Sequence, residues 1–143
     1  MTTPSGHPVR VLYKGEITMS EITNTAVASI VHEDIGADLR RIVIAGRLDT
    51  PGTNEIAAAL HELAAAPVRA VIIDLSTVQF AASIAIGQFI STAQEVKARG
   101  GHLVLLVSGT SSVMMTLKMG GIDRIIPVYQ YPHEAHAGAL RGF

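Results

Sequence analysis

The feature of this sequence that most restricts its fold is an apolar run, Ala70-Val71-Ile72-Ile73, with no polar residue before Asp74. A strand with one face in water alternates apolar and polar side chains, whereas a strand covered on both faces does not. The run therefore predicts a central strand over Ala70–Leu75 that is packed on both sides. A second such run, His102–Val107, predicts a neighbouring buried strand.

Helical periodicity appears on both sides of the central strand. A segment from Thr53 or Asn54 to about Ala66 repeats apolar residues at spacings of four and three, which predicts a helix with one buried face. A second helix is predicted from about Ser83 to Arg99, because its apolar and polar side chains separate onto opposite faces. Its apolar face is predicted to contain Ile86, Phe89, Ile90, Ala93 and Val96, and its polar face Gln88, Ser91, Glu95 and Arg99.

The remaining elements complete a regular order. We predict strands over Ala26–Val31, Arg41–Ala45 and Ile125–Val128, and helices from Ser111 or Ser112 to Gly120 and from Pro132 to about Leu140. The first two strands form a hairpin. After it, strands and helices alternate, which is typical of a mostly parallel sheet with right-handed crossovers. The predicted fold class is α/β, with a mixed sheet of four to five strands, an N-terminal hairpin and about four helices.

Composition excludes several kinds of partner. A chain of 143 residues is sized for one domain, and its formal net charge of −1, with scattered Lys and Arg, predicts no nucleic-acid partner. The absence of cysteine excludes disulfides and thiolate metal sites and suits a reducing cytosol, so we expect a cytoplasmic protein. No apolar run approaches ~20 residues, so no membrane span is predicted, and the first residues lack the pattern of a secretory signal.

The beginning of the chain differs from the rest. Residues 1–24 are predicted to be an extension, flexible or containing a short extra strand at Val9–Lys14, and residues 25–143 to be the domain. Because Met19 precedes what looks like an ordinary domain start, it stays open whether residues 1–18 are native.

Catalysis and metal binding are disfavoured by the motifs. The sequence lacks the glycine-rich nucleotide-binding motifs, the G-x-S-x-G elbow and the H-E-x-x-H zinc motif. His102, the nearest histidine after Ser83, is predicted at the opposite edge of the sheet, so no catalytic residue is predicted. Asp49 and Asp74 lie at the carboxyl ends of predicted strands, where a ligand crevice forms in such sheets. Two acids without a third ligand favour solvation and turn capping, so no metal and no cofactor is predicted.

Ser83 opens the predicted second helix and has two interpretations. It caps the helix, as most serines at such places do, or it accepts a phosphate, because free N–H groups and the positive helix end favour an anion there. The next residue, Ile84, places an apolar side chain on the polar side of the helix, either as a partner contact or beneath a covering loop. We assign Val78, Phe80 and at least one of Met114, Met115 and Met119 to the core, and His133 and His136 to a solvated helix rather than a metal pair.

Four local motifs, in order, carry a resemblance to a known family. They are Gly46-Arg47-Leu48-Asp49, the stretch from Val71 through Asp74-Leu75-Ser76 to Phe80, Gly100-Gly101 before Leu103-Val104-Leu105, and the stretch from Gly121 to Tyr129. Over about residues 26–141 the chain resembles the STAS domain of the anti-sigma-factor antagonist family. The resemblance implies a STAS-like fold.

The resemblance also implies a partner switch. An unphosphorylated member binds an anti-sigma serine kinase and frees a sigma factor, and it lets go when a serine at the start of the second helix is phosphorylated. Ser83 matches that serine and Gly87 the last glycine of its motif, whereas Ala82, Ile84 and Ala85 depart from the family pattern. The implied partner contacts are Asp49, Thr50, Ile84, Gly87 and Gln88, and ATP and magnesium belong to the kinase.

Two other functions stay open at this point. The domain is alternatively a scaffold of a stress-signalling complex that does not switch, which the altered residues around Ser83 favour. It is alternatively an accessory domain for a small ligand or for lipid transport. Self-association as a homo-oligomer is also left open.

Overall fold

The computed structural model describes residues 28–65 and 67–141. The elements are, in chain order, β1 (Ala28–Ile35), β2 (Leu39–Leu48), α1 (Thr50–Ala65), β3 (Ala70–Ala81), α2 (Ser83–Ala98), β4 (His102–Leu106), α3 (Ser112–Met119), a 3-10 turn (Ile122–Arg124), β5 (Val128–Tyr129) and α4 (Pro132–Arg141). The predicted extra strand at Val9–Lys14 lies outside the described residues.

The five strands form one sheet in the order β1-β2-β3-β4-β5. The β1–β2 hairpin is antiparallel, and the other neighbouring pairs are parallel. The predicted fold class, a mixed α/β sheet with an N-terminal hairpin and four helices, is confirmed. Because β2, β3 and β4 run in the same direction, the chain leaves all three at one edge of the sheet and enters α1, α2 and α3 there.

The central strand is covered on both faces, as its apolar run predicts. Val71, Ile73 and Leu75 face a large core that also contains side chains from α1, α2 and α3. On the other face Ala70 and Ile72 pack beneath α4. That second, smaller core consists of Leu39, Ala70, Ile72, Val104, Leu106, Ala135 and Ala139.

Several predicted boundaries are wrong, among them the start of α1, which begins at Thr50 and not at Thr53 or Asn54, and two others have identifiable reasons. Strand β3 does not stop at Leu75 but continues to Ala81, because it resumes pairing with β2 after a register shift, as in Leu48↔Ala81. The last strand is Val128–Tyr129 instead of Ile125–Val128. A 3-10 turn, Ile122–Arg124, follows Gly121 at φ 71°, and the N–H groups of Ile125 and Ile126 close it by donating to Ile122 O, so these two residues do not pair with the sheet.

Opposite charges tie the far end of the hairpin together. Arg40 donates to both carboxylate oxygens of Asp34, at 2.6 and 3.1 Å, and to the backbone oxygen of Leu63 at 3.0 Å. The hydrogen bond from Arg40 lowers the pKa of Asp34. Burial, followed by the charge of Arg40, lowers the pKa of His32, whose Nδ1 atom is buried without a hydrogen-bond partner among the described residues.

Candidate functional site

Ser83 is the first residue of α2, and its side chain is exposed. The residue before it, Ala82, occupies the N-cap position with extended backbone angles of φ −84° and ψ 171°. The first helical hydrogen bonds come from the N–H groups of Ala85 and Ile86, which donate to Ala82 O at 3.0 and 3.2 Å. The N–H groups of Ser83 and Ile84 come before these bonds, so intrahelical geometry leaves them without an acceptor.

This arrangement bears on whether Ser83 is a helix cap. A capping side chain belongs to the N-cap residue, which here is Ala82 and forms no side-chain cap hydrogen bond. The Ser83 hydroxyl therefore lies one residue too late to act as the N-cap. Capping by Ser111 at α3 shows the contrast, because its Oγ atom accepts from Met114 N at 3.2 Å, as its sequence position predicts.

Backbone contacts fix the position of Ser83. The N–H of Ala82 donates to Leu48 O at 2.9 Å, which joins the start of α2 to the end of β2. Ala85 and Phe89, on the inner face of α2, are fully buried and hold the helix against the sheet. The hydroxyl is thus displayed from a rigid corner of the domain.

Asp49 and Thr50 adjoin this corner at the start of α1. Asp49 is half-buried, and its Oδ1 atom accepts from Gly52 N at 2.9 Å, so this carboxylate caps α1. A Cβ atom at Gly52 would lie 2.0 Å from Arg47 O, so the turn requires glycine there. Thr50, the first residue of α1, is exposed.

Arg47 and Phe80 form a contact that the sequence did not suggest. Phe80 is 39% exposed, so its assignment to the core is wrong, whereas Val78 is 4% exposed and belongs to the core as predicted. The register that follows the shift pairs Phe80 with Arg47, and the guanidinium carbon lies 4.7 Å from the ring centroid. The sequence does not show the register shift, so it does not show which side of the sheet a later strand residue faces. The assignment of Phe80 fails for this reason.

The outer surface of α2 beside Ser83 is uncharged. Ile84 is 40% exposed, so no described element covers it fully, and one turn later Gln88 is half-buried. Gly87 is exposed, and a Cβ atom there would meet nothing within 4 Å. No contact with residues 28–65 or 67–141 therefore requires glycine at this position.

Comparison with known families identifies the domain. The family model of the STAS domain matches residues 30–135. The chain belongs to the STAS domain family. Among curated protein sequences, none matches it.

Solved structures share the fold of this STAS domain at low sequence identity. An anti-sigma factor antagonist from Mycobacterium paratuberculosis is 19% identical, with a TM-score of 0.72 over 79% of this chain and 94% of that one. The protein TM1081 from Thermotoga maritima is 18% identical, with a TM-score of 0.66 over 77% and 93%. The Bacillus cell fate determinant SpoIIAA in its phosphorylated form is 20% identical, with a TM-score of 0.57 over 76% and 97%.

Asp74 does not border the Ser83 corner of the STAS domain. It lies within β3 and is 2% exposed, and its carboxylate accepts from Arg41 Nε at 2.9 Å, Arg41 Nη2 at 2.5 Å and Ser76 N at 2.9 Å. Glu33, 3.2 Å from Arg41, extends the cluster. The prediction that Asp74 ends its strand is wrong, because β3 continues beyond it. Asp74 instead neutralises an arginine on the sheet.

Other candidate ligands do not converge on this corner. Within residues 28–65 and 67–141, no group of three His, Asp or Glu side chains is placed to hold a metal ion. His102 begins β4, at the edge of the sheet opposite Ser83, as predicted. Met114 is buried, so the prediction of at least one core methionine is confirmed. No helix in the described part of the chain is both long and apolar enough to cross a membrane.

Proposed function

We propose that this STAS domain is an anti-sigma factor antagonist that binds an anti-sigma serine kinase until Ser83 is phosphorylated. The observation that carries the proposal is the Ser83 hydroxyl, which is exposed on the first turn of α2 and does not serve as its cap. We define the Ser83 edge as the surface formed by Asp49, Thr50, Ser83, Ile84, Gly87 and Gln88. Support also comes from SpoIIAA, a protein of the same fold that has a phosphorylated form.

The unmodified Ser83 edge suits a partly apolar interface. Ile84 in this edge, and Phe80 three residues before Ser83, each expose about two fifths of their surface, and apolar side chains of this size supply contact energy when a partner covers them. Gly87 is exposed without an internal reason for being glycine, and a missing side chain lets a partner backbone come close. The domain contributes a hydroxyl and a surface, and the kinase supplies ATP and magnesium.

Phosphorylation would change this interface through charge. A phosphoserine at position 83 adds about −1.5 to −2 charges near neutral pH. The free N–H groups of Ser83 and Ile84, with the helix dipole, stabilise that charge on the domain itself. A partner that fits the neutral hydroxyl must desolvate the phosphate or separate. An interface of this kind buries about 800 Å² per side, so one charge near its centre changes affinity by orders of magnitude.

The residues that differ from the family pattern restrict how a kinase can recognise the surroundings of Ser83. Ala82 stands where the family has an acid, and Ile84 where it has a second hydroxyl residue. The neighbouring carboxylate of Asp49 is already engaged with Gly52 N. The kinase must therefore recognise Ser83 without an adjacent free acid, which predicts an apolar pocket for Ile84.

The test is phosphorylation by purified anti-sigma serine kinases of the source organism. Each kinase is incubated with the protein and ATP, and the modified residue is mapped by mass spectrometry in wild type, Ser83→Ala and the control Ser91→Ala, which alters an exposed serine further along α2. We expect modification at Ser83, its loss in Ser83→Ala only, and at least tenfold weaker kinase binding by Ser83→Asp. Modification elsewhere, undiminished binding by Ser83→Asp, or a large homo-assembly in light scattering would contradict the switch, and the last would favour the scaffold.

A further inference from the structure

Helix α3 carries the two most exposed large apolar side chains of the described residues. Met115 is 64% exposed and Met119 is 82% exposed, and they lie one turn apart on the outer face of the helix. The inner face is anchored by Val113, Met114 and Leu117, which are buried. Because the buried side chains already hold α3 in place, the two outer methionines contribute no core packing that explains their presence.

These methionines border a groove of about 260 Å³. Its other wall is the loop Gly109–Ser111, which follows β4, and of the described residues that line it only Lys118 is charged. We call it the α3 groove. Its volume accommodates one or two apolar side chains, and flexible, polarizable methionines adapt to such guests.

The α3 groove opens at the same edge of the sheet as Ser83. The Ser112 hydroxyl, at the start of α3, donates to Gln79 O in β3 at 3.4 Å, three residues before the N-cap of α2. The Ser83 edge and α3 therefore lie on the same side of the domain, and one partner can contact both.

Charge decides between a second copy of this chain and a different partner. The helix, Ser112–Met119, contains one charged residue, Lys118, and no acid. Two α3 helices packed symmetrically through their methionines would bring two lysines together with no carboxylate from either helix to neutralise them. An apolar segment that carries a carboxylate complements the groove instead.

We infer that the anti-sigma factor inserts an apolar segment with an acidic side chain into the α3 groove, as an anchor whose contribution does not depend on phosphorylation of Ser83. The inference rests on the proposed function for the identity of the partner. The Ser83 edge and the α3 groove share no residue, so their contributions to binding should combine independently. Phosphorylation then weakens one part of the interface while the other keeps its affinity.

The experiment measures affinity for the purified kinase that phosphorylates Ser83, by calorimetry or biolayer interferometry. The variants are Met115→Gln with Met119→Gln, and Lys118→Glu, each also combined with Ser83→Asp. Matched controls are Leu140→Gln, an exposed apolar residue on α4, and Lys97→Glu, an exposed lysine on α2. Circular dichroism and thermal unfolding show whether each variant is folded.

We expect the methionine pair and Lys118→Glu each to weaken binding at least tenfold, by the same factor with and without Ser83→Asp, while both controls bind as wild type. Wild-type affinity of the groove variants, with weak binding by Ser83→Asp, overturns the groove and leaves the switch standing. The reverse pattern overturns the switch and supports the groove. A dimer in light scattering that the methionine variants dissolve assigns the groove to a second copy and overturns the inference.

Discussion

Gly87→Ala separates what position 87 does for the fold from what it does for a partner. Glycine inside a helix is less favourable than alanine by about 1 kcal/mol, because it loses more backbone freedom on folding. A Cβ atom at position 87 meets nothing within 4 Å, so no steric cost offsets this gain. We therefore expect the variant to be more stable by about 1 kcal/mol, which raises Tm by about 4 °C for a domain of this size.

The same methyl group should weaken partner binding. It would lie on the Ser83 edge, in the space that the proposed interface uses, and the expected loss is about tenfold in Kd, or about 1.4 kcal/mol. Urea unfolding and differential scanning calorimetry measure the stability, and calorimetric titration with the kinase measures the binding. Opposite signs for the two effects are the expected signature.

Gly138→Ala is the matched control. This glycine also lies within a helix, α4, but a Cβ atom there would be 2.3 Å from the Tyr129 hydroxyl, which accepts a hydrogen bond from Arg141 at 3.1 Å. Overpacking of this kind costs about 1–3 kcal/mol, so this variant should be less stable than wild type. If Gly87→Ala destabilises the domain as well, the reasoning about free space at position 87 is refuted. If it stabilises the domain and leaves binding unchanged, position 87 is outside the interface.

Three further predictions concern charges away from the Ser83 edge. Asp74→Ala removes the buried carboxylate that pairs with Arg41, but Arg41 is one-third exposed and keeps Glu33 at 3.2 Å, so urea unfolding should show a loss of about 2 kcal/mol. The pKa of His32 is lowered, so the unfolded chain binds more protons and stability should fall as pH drops below 6.5; His32→Gln should reduce that slope in urea midpoints measured between pH 7.5 and 5.5. The pKa of Asp34 is lowered by Arg40, so its stabilisation is present above pH 3.8 and lost in more acidic solution, and Asp34→Asn should flatten acid unfolding followed by circular dichroism.

The sequence predicted the elements whose positions depend on residues that are close together in the chain. The unbroken apolar runs predicted the positions of β3 and β4, and the serines at 111 and 112 predicted the start of α3, because each depends on neighbouring residues only. The full length of β3 was not predictable, since it depends on pairing with β2 after a register shift. Thr77 lies inside that strand and donates to Ile44 O at 3.2 Å, a partner 33 positions away.

The candidate site was predictable only in part. Ser83 at the start of a helix and Ile84 on its outer side follow from helical periodicity, and the structure places both as expected. The roles of Asp74 and Phe80 depend on Arg41 and Arg47, which are distant in sequence and adjacent only through the sheet. Periodicity carries no information about such pairs. The assignment of Asp49, Thr50, Gly87 and Gln88 to an interface stays a prediction that binding measurements will decide.

The hydrogen bond from Ala82 N to Leu48 O has a consequence for timing. It joins the corner that displays Ser83 to the sheet in the unmodified domain, so the proposed phosphorylation would take place on a surface that is already formed. Under the proposed switch, the rate of the response should then be set by the enzymes that add and remove the phosphate, and not by a conformational change of the domain.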